Sequence, residues 1–443
     1  MNTVNAVVAL YCVGMPPMQI ADMLSMNVDD VSEILETAER DGSIAYEPVM
    51  KAPIEKSVDE YVKDVLLTGP LLDALTSTIY FSDERLTVTP SPLGMFKTYE
   101  IPVLGRKLEN DAYKREESES LVIAARRAAR ILETALFDGE EHVVGVNYGI
   151  SVRRVIEEMR TQPDRKIGRN TVVSLFGDLS FYVPDVPIEG LDEMDVNCNI
   201  LANLLAGRLG PDSEVAMLNV PGFIPHSFSH TAESLESIRD FLTGHSSFAR
   251  IFGSRDESRR AACGRPLIDQ MDTIVSGFGS ADNYTVFQSF LRSWLSGEEL
   301  ASLISYSETH EVVGDLGGHF CLAAHRHPLG DELGKLIENI NSRLPAAKPE
   351  HFEDVARRHY ETGKGAGVLG IAVGARKAGI LYALLSKRPC PISRLVIDTH
   401  CALALLNIMD RRRFNALIRD HGDTMCVSKE EWSDGTRHLI PVD

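Results

Sequence analysis

The stretch His142-Val143-Val144-Gly145-Val146-Asn147-Tyr148-Gly149 decides how the rest of the chain is read. An apolar run from His142 to Val146 ends in an Asn-Tyr-Gly turn and opens into a helical pattern through Met159. An apolar run without alternation suits a strand covered on both faces, and the turn changes the period to that of a helix. The same unit recurs along the chain. Strands are expected at Thr171 to Leu175, Glu214 to Asn219, Thr273 to Ser276, Val368 to Val373 and Leu395 to Ile397. Helices are expected at Leu121 to Leu136, Asn199 to Leu209, Ala375 to Leu385 and Cys401 to Met409. Strands separated by helical crossovers imply an α/β fold with a mainly parallel sheet and helices on both faces. Ser227 to Arg265, polar and containing Gly253-Ser254-Arg255-Asp256, reads as an irregular insertion.

Bulk properties bound the function. The chain has 443 residues, 44% apolar and 25% charged, which is ordinary for a globular protein with more than one domain. Its formal charge of −19 disfavours nonspecific attachment to nucleic acid or anionic membrane. The longest apolar stretch, Val368 to Leu385, is interrupted by Arg376 and Lys377, so no membrane span is expected. No basic residues precede the apolar N-terminus, which argues against a signal peptide. The seven cysteines are scattered and form no CxxC pair, which fits reduced structural thiols and a cytoplasmic setting.

The first fifty residues carry three short helical patterns, Val4 to Tyr11, Met18 to Leu24 and Val28 to Glu39, in the order of a helix-turn-helix. Their charge runs the wrong way for DNA. Asp22, Asp29, Asp30, Glu33, Glu36, Glu39, Asp41 and Glu47 stand against the single Arg40, a net of −7. DNA affinity rests first on neutralising phosphates, and Glu33, Glu36 and Glu39 along the would-be reading helix repel them. Ala52-Pro53 closes the module, and Val58 to Thr68 reads as a helix leading into the next domain.

The ordered loops carry a resemblance. They are Val144 to Gly149, Val172 to Leu179, Asn197-Cys198-Asn199-Ile200-Leu201-Ala202, Ser276-Gly277-Phe278-Gly279, Val313 to Gly318, Ala372 to Ala378 and Leu395 to Ala402. In this order the set resembles the SorC-type bacterial transcriptional regulators, and Met18 to Leu24, Val31 to Leu35 and Gly42 are similar to that family's DNA-binding module. The resemblance spans roughly residues 4 to 409 and rests on the order, since each loop alone is weak. It implies a small all-α winged-helix or helix-turn-helix-like domain over 1–50. A sugar-binding domain related to the sugar-phosphate isomerase fold would follow over 55–443, with a helical extension from about 410. It also implies a homo-oligomer, for which the apolar helices Leu121 to Leu136 and Leu201 to Leu209 offer surfaces. Departures are concrete. Asn27-Val28-Asp29-Asp30 replaces a basic start to the reading helix, Gly177-Asp178 replaces Gly-Gly, and Asn147-Tyr148 replaces a Ser- or Thr-based loop with Trp.

The candidate effector site collects these loops. A strand-to-helix turn offers free backbone N–H groups and a positive helix end. Gly145 and Gly149 permit close approach to an anion, Asn147 can donate or accept, and Tyr148, Gly177, Gly277, Phe278 and Gly279 belong to the same architecture. A plain turn is the bland alternative. Lys377 opens a helix after Gly374, where a cation is unfavourable to the dipole unless it faces an anionic ligand or simply solvent. Asp315, among Gly314, Gly317 and Gly318, either accepts sugar hydroxyls or caps its own turn. Asp178 conflicts with a bound phosphate by about 1–4 kcal/mol at contact distance. Either it turns away, or the ligand is not a phosphate ester, or the pocket no longer binds one; a carboxylate in a partly closed pocket can also serve as an acid or base.

Other clusters carry less. His319, Cys321, His325 and His327 match no zinc spacing, so a His-rich loop after the Asp315 turn is expected and no metal or cofactor. His226 and His230 read as loop residues. Gly363-Lys364-Gly365-Ala366-Gly367 precedes a strand, which excludes a nucleotide phosphate loop. Arg411-Arg412-Arg413 reads as a solvated helix face.

Three functions follow. One is a transcriptional regulator that responds to a sugar or sugar phosphate, with Asn27, Ser32 and Arg40 as the residues left to meet DNA. The second keeps the fold but gives the acidic module, with Met15, Met18, Met23 and Met26, to a protein partner. The third is an isomerase-like enzyme with Asp178, Asp315 or His319 as acid and base.

Overall fold

The computed structural model describes most of residues 17–40, 111–160, 168–179, 197–281, 291–324 and 332–398. It also describes strand 86–89 and isolated positions at 6–7 and 401–408. Seven strands form a wholly parallel sheet: Leu86–Thr89 (β1), Val143–Val146 (β2), Thr171–Ser174 (β3), Glu214–Ala216 (β4), Thr273–Gly277 (β5), Gly367–Ala372 (β9) and Arg394–Asp398 (β10). Their order is β1-β10-β9-β5-β2-β3-β4. A smaller antiparallel sheet joins Gly279–Ser280 (β6), Val312–Leu316 (β7) and His319–Leu322 (β8) in that order.

The parallel strands are apolar because both faces are covered. On one face the helices Asp111–Leu136, Ile150–Glu158 and Cys198–Leu209 seal Val144, Val146, Val172, Val275 and Leu369. On the other, the helices Pro349–Thr362 and Ala378–Leu385 close over Val173, Ile274, Val368 and Leu395. A third cluster under the small sheet includes Trp294, Leu303, Phe320, Ile337 and Ile340. Full burial of each such side chain stabilises by about 1.5–3 kcal/mol.

The expected alternation of strands and helices is present, most ends shifting by a few residues, while the helix expected from Leu121 begins ten residues earlier at Asp111. Glu214 to Asn219 shortens to the three residues of β4. Ala375 to Leu385 divides into a 3₁₀ turn, Ala375–Lys377, and a helix from Ala378.

Some expectations are corrected. Ser227 to Arg265 is not irregular, since it holds the helices Ala232–Thr243 and Ser246–Phe252. Thr231 and Ser234 form a reciprocal cap, and Leu235, Ile238 and Leu242 form the inward stripe. The many polar residues between them mask that period in the sequence. The apolar faces of Leu121 to Leu136 and Leu201 to Leu209 are not free for an oligomer. Ala124, Ala128, Leu132, Leu136, Leu201, Leu205 and Leu209 are all fully buried in the fold itself. His319 and Cys321 stand in β8 rather than a loop. Neither β1 nor the small sheet was expected, because β6 is two residues long and the β7–β8 hairpin reads as a glycine turn.

At the N-terminus the helices Pro17–Leu24 and Val28–Arg40 pack through Ile20, Ala21, Val31, Leu35 and Ala38. Of the expected helix Val4 to Tyr11, only Ala6 and Val7 are described, and both are helical. Val58 to Thr68, the domain boundaries near 50, 55 and 410, and Arg411 to Arg413 lie outside the described residues.

Candidate functional site

The chain runs β2 to β3 to β4 in one direction, then returns to place β5 on the opposite flank of β2. That reversal creates a crevice at the carboxyl ends of β2 and β5, the location where open α/β sheets hold ligands. Asn147, the residue after β2, bridges it. Its backbone N–H donates to the Val275 carbonyl at 3.1 Å, and its Nδ2 donates to Ser276 Oγ at 3.0 Å. Its Oδ1 accepts the Tyr148 N–H at 2.9 Å. The side chain is buried, so the amide plane is fixed by these bonds.

Beside it, the Tyr148 hydroxyl donates to Asp315 Oδ1 at 3.4 Å, and the Tyr148 ring meets Phe176 edge-on at 4.8 Å between centroids. Asp315 lies on β7, and its Oδ1 also accepts the Gly318 N–H at 2.9 Å. The carboxylate therefore caps its own hairpin turn, as the plainer sequence alternative held, while its environment is that of the crevice. Burial pushes its carboxyl up to about 6, against the Gly318 N–H, the nearby Lys377 ammonium and the Tyr148 hydroxyl, which hold it down. Lys377 closes the 3₁₀ turn after β9 and donates from Nζ to the Phe278 carbonyl at 2.6 Å.

The glycines divide into two groups. Gly149, with φ of 120°, starts the helix Ile150–Glu158 without a side-chain cap, and a Cβ there would meet nothing within 4 Å. Gly277 faces the first turn of that helix, where an added Cβ would sit 3.5 Å from Ser151 Cβ. These two border open backbone. Gly145, Gly177 and Gly279 serve close packing instead. An added Cβ would strike Leu175 at Gly145, the Pro221 carbonyl at Gly177 and the Asp315 carboxylate at Gly279. Phe278 turns its ring into the core against Gly370 and offers the crevice only its carbonyl.

Asp178 is half-buried in the loop after β3 and pairs backbone-to-backbone with the Val220–Gly222 segment. Its Oδ1 accepts Asn197 Nδ2 at 3.3 Å. Asn197 in turn caps the helix Cys198–Leu209, its Oδ1 taking the Asn199 and Ile200 N–H groups. Cys198, the first residue of that helix, donates its thiol to the Val146 carbonyl at 3.5 Å. The helix Cys198–Leu209 thus starts against the last carbonyl of β2.

Sequence reasoning missed Ser276 and Asn197 as site-shaping residues, and it missed Asp398. Asp398 Oδ1 accepts the Gly374 and Cys401 N–H groups at 2.9 and 3.0 Å, which sets the turn that carries Lys377. An Asn directly before a helix and an Asp at the end of a strand were the available signals. His319 is elsewhere. It pairs with Leu316 while Asp315 pairs with Phe320, so the two side chains leave opposite faces of the hairpin. An acid–base pair from Asp315 and His319 is therefore not assembled. Burial also lowers the His319 imidazole to about 4. No group of three metal-ligating side chains occurs among the described residues, and His230, His325 and His327 lie outside them. On the helix Val28–Arg40, Asp30, Ser32 and Glu33 are exposed, as is Asn27 just before it; the Arg40 side chain is not among the described ones. The five described cysteines are free thiols. No helix among the described residues is long and apolar enough to cross a membrane.

The seven-stranded parallel sheet with the small antiparallel sheet beside it shares its fold with a solved SorC-type structure. Full-length sorbitol operon regulator SorC from Klebsiella pneumoniae matches 91% of this chain over 97% of its own, with TM-score 0.50 and 17% identity. A DeoR family transcriptional regulator from Listeria monocytogenes matches 72% of this chain and 93% of its own, with TM-score 0.44 and 16% identity. A domain of a possible sugar-binding transcriptional regulator from Arthrobacter aurescens TC1 covers 76% and 97%, with TM-score 0.45 and 18% identity. No protein-family model and no curated protein matches the sequence. The resemblance read from the loops is met by the fold.

Proposed function

We propose that this chain is a transcriptional regulator whose large domain, from about residue 55, senses a sugar or sugar phosphate in the crevice beside β2 and β5. The observation that carries this reading is the Gly149 helix start, uncapped and bordered by open space, beside the fixed Asn147–Ser276 pair. Backbone N–H groups at a helix start favour an anion, while Asn147, Tyr148, Asp315 and Lys377 supply directional partners for hydroxyls. The fold shared with a sorbitol operon regulator supports it. A thermal-shift screen against sugars and sugar phosphates tests it. A ligand at a hundredfold excess over its dissociation constant stabilises by about 2.7 kcal/mol. No shift across the panel would remove the sensing role.

A second reading concerns the N-terminal module and has its own observation. The surface of Val28–Arg40 away from the buried Val31, Leu35 and Ala38 carries exposed Asp30 and Glu33. We infer that residues 1–50 contribute little DNA affinity alone and that a basic protein surface is their better partner. A duplex-binding titration at two salt concentrations separates the readings, since phosphate contacts steepen the salt dependence. Self-association into a homo-oligomer belongs to the same proposal, and light scattering at micromolar concentration checks it.

A further inference from the structure

We propose that His142 holds a proton between two carboxylates and acts as a pH-released clamp on the corner joining the helix Asp111–Leu136 to β2. The ring is buried, and each of its nitrogens faces an acid. Nδ1 lies 3.2 Å from Asp272 Oδ2, and Nε2 lies 3.0 Å from Asp138 Oδ1. A neutral imidazole carries one N–H, whereas an ionised carboxylate only accepts. Two such contacts need a second proton, and the imidazolium supplies both donors. Burial alone would lower the imidazole, but the bonds to Asp272 and Asp138 and their charges outweigh it and hold the ring above its ordinary 6.5. The clamp stands at the amino ends of β2 and β5, away from the crevice, and does not depend on the sensing role.

The two acids are not equivalent. The Asp272 side chain, directly before β5, is 10% exposed, whereas that of Asp138, just past the helix, is 42% exposed. Asp272 also has a second cation. Lys364 Nζ stands 3.6 Å from its Oδ2 and donates to the Glu141 carbonyl at 2.7 Å. Lys364 belongs to the loop Gly363 to Gly367, which lies so close that a Cβ on Gly365 would sit 2.7 Å from Asp272 Oδ1. Other charged groups nearby are engaged elsewhere. Arg358 donates to the Met271 carbonyl, His359 Nδ1 meets the Lys364 carbonyl, and Arg169 pairs with Glu214, while Glu140 and Glu141 are exposed. Once the proton leaves, the remaining N–H serves one acid only. An unpaired charge costs more where it is buried, so the N–H stays with Asp272 and Asp138 turns to solvent. Asp138 Oδ1 also accepts the Glu140 N–H at 2.8 Å, so its release loosens the turn that leads into β2.

The test follows the histidine rings of the full chain by nitrogen NMR, the His142 signal being the one absent from His142→Gln. Both His142 nitrogens should carry protons at pH 7, and the ring should titrate above 6.5. Asp138→Asn keeps an oxygen acceptor at an exposed position and removes the charge, so it should lower that midpoint. The Glu140 amide proton should move upfield with the His142 midpoint in the unmodified protein, while the Asp272 amide, bonded to the Val143 carbonyl, should not. A group whose folded value is raised stabilises fully below its unfolded value and loses that contribution as the pH rises through the folded one. The folded-to-unfolded ratio should therefore fall relative to His142→Gln above pH 6.5, by up to about tenfold per pH unit for one proton. Should His142→Gln fail to fold, the ring whose titration Asp138→Asn moves identifies His142, and the absence of any such ring overturns the clamp. A singly protonated ring at pH 7, or a midpoint unmoved by Asp138→Asn, also overturns it. A Glu140 amide indifferent to the His142 titration overturns the release of Asp138.

Discussion

Asp315 and His319 are four residues apart, both buried, and are moved in opposite directions by the same desolvation, because one is an acid and the other a base. Each shift is a stability term of roughly 1.4 kcal/mol per unit. Asp315 ionises at about 6 in the fold, above its ordinary 3.8. Its contribution is therefore full below pH 4 and is lost as the pH rises through 6. Asp315→Asn, which keeps an acceptor for the Gly318 N–H, should gain stability relative to the unmodified protein as the pH rises from 4 to 7, and denaturant titrations at those pH values would measure it. A difference that stays flat would show that Asp315 is not desolvated. His319 carries the reverse sign. Its folded value of about 4 lies below 6.5, so its contribution is full above pH 6.5 and is lost as the pH falls toward 4. Its imidazole resonances should accordingly show a neutral ring at pH 5.5, and a protonated ring there would contradict the dry environment.

At the scale of elements, two neighbouring helices begin in opposite ways. Asn197 satisfies the first amides of Cys198–Leu209, whereas Gly149 leaves those of Ile150–Glu158 without a side-chain acceptor. Losing an Asn cap costs about 0.5–2 kcal/mol. Asn197→Ala should lower the unfolding free energy by that amount in urea titrations, and no change would mean that the cap contributes nothing in this fold. The strand-and-helix alternation was legible because β2, β3, β5, β9 and β10 are apolar runs ending in turn residues. The helices of 232–252 were not, because their inward residues are spaced among many polar ones and only the Thr231–Ser234 cap marks the start. Of the candidate site, Asn147, Asp315 and Lys377 were legible from their loops. Gly145, Gly177 and Phe278 were indistinguishable from them until Leu175, Pro221 and Gly370 were seen packed against them.

For the whole molecule, the fold shared with SorC comes with an acidic N-terminal module. Replacing Glu33, Glu36 and Glu39 with Lys moves that segment from a net −7 to −1. Each new phosphate contact adds about 0.9 to the log–log salt slope. The triple variant should therefore gain salt-sensitive, sequence-independent affinity for a duplex in a fluorescence titration. If the unmodified protein binds duplex DNA at nanomolar affinity and the triple variant loses it, the acidic helix reads DNA and the protein-partner reading fails.

Sequence alone determined the layered α/β class, because apolar runs of strand length alternating with amphipathic stretches can bury their surfaces in few other ways. It also determined the sign of the N-terminal charge, which no folding can alter. Only the tertiary structure decided which loop residues face the crevice. That choice depends on strand order, on the return of β5 to the far side of β2, and on whether a glycine borders open space or another chain segment. These are contacts between residues more than a hundred positions apart, as between Asn147 and Ser276, and local sequence carries no record of them.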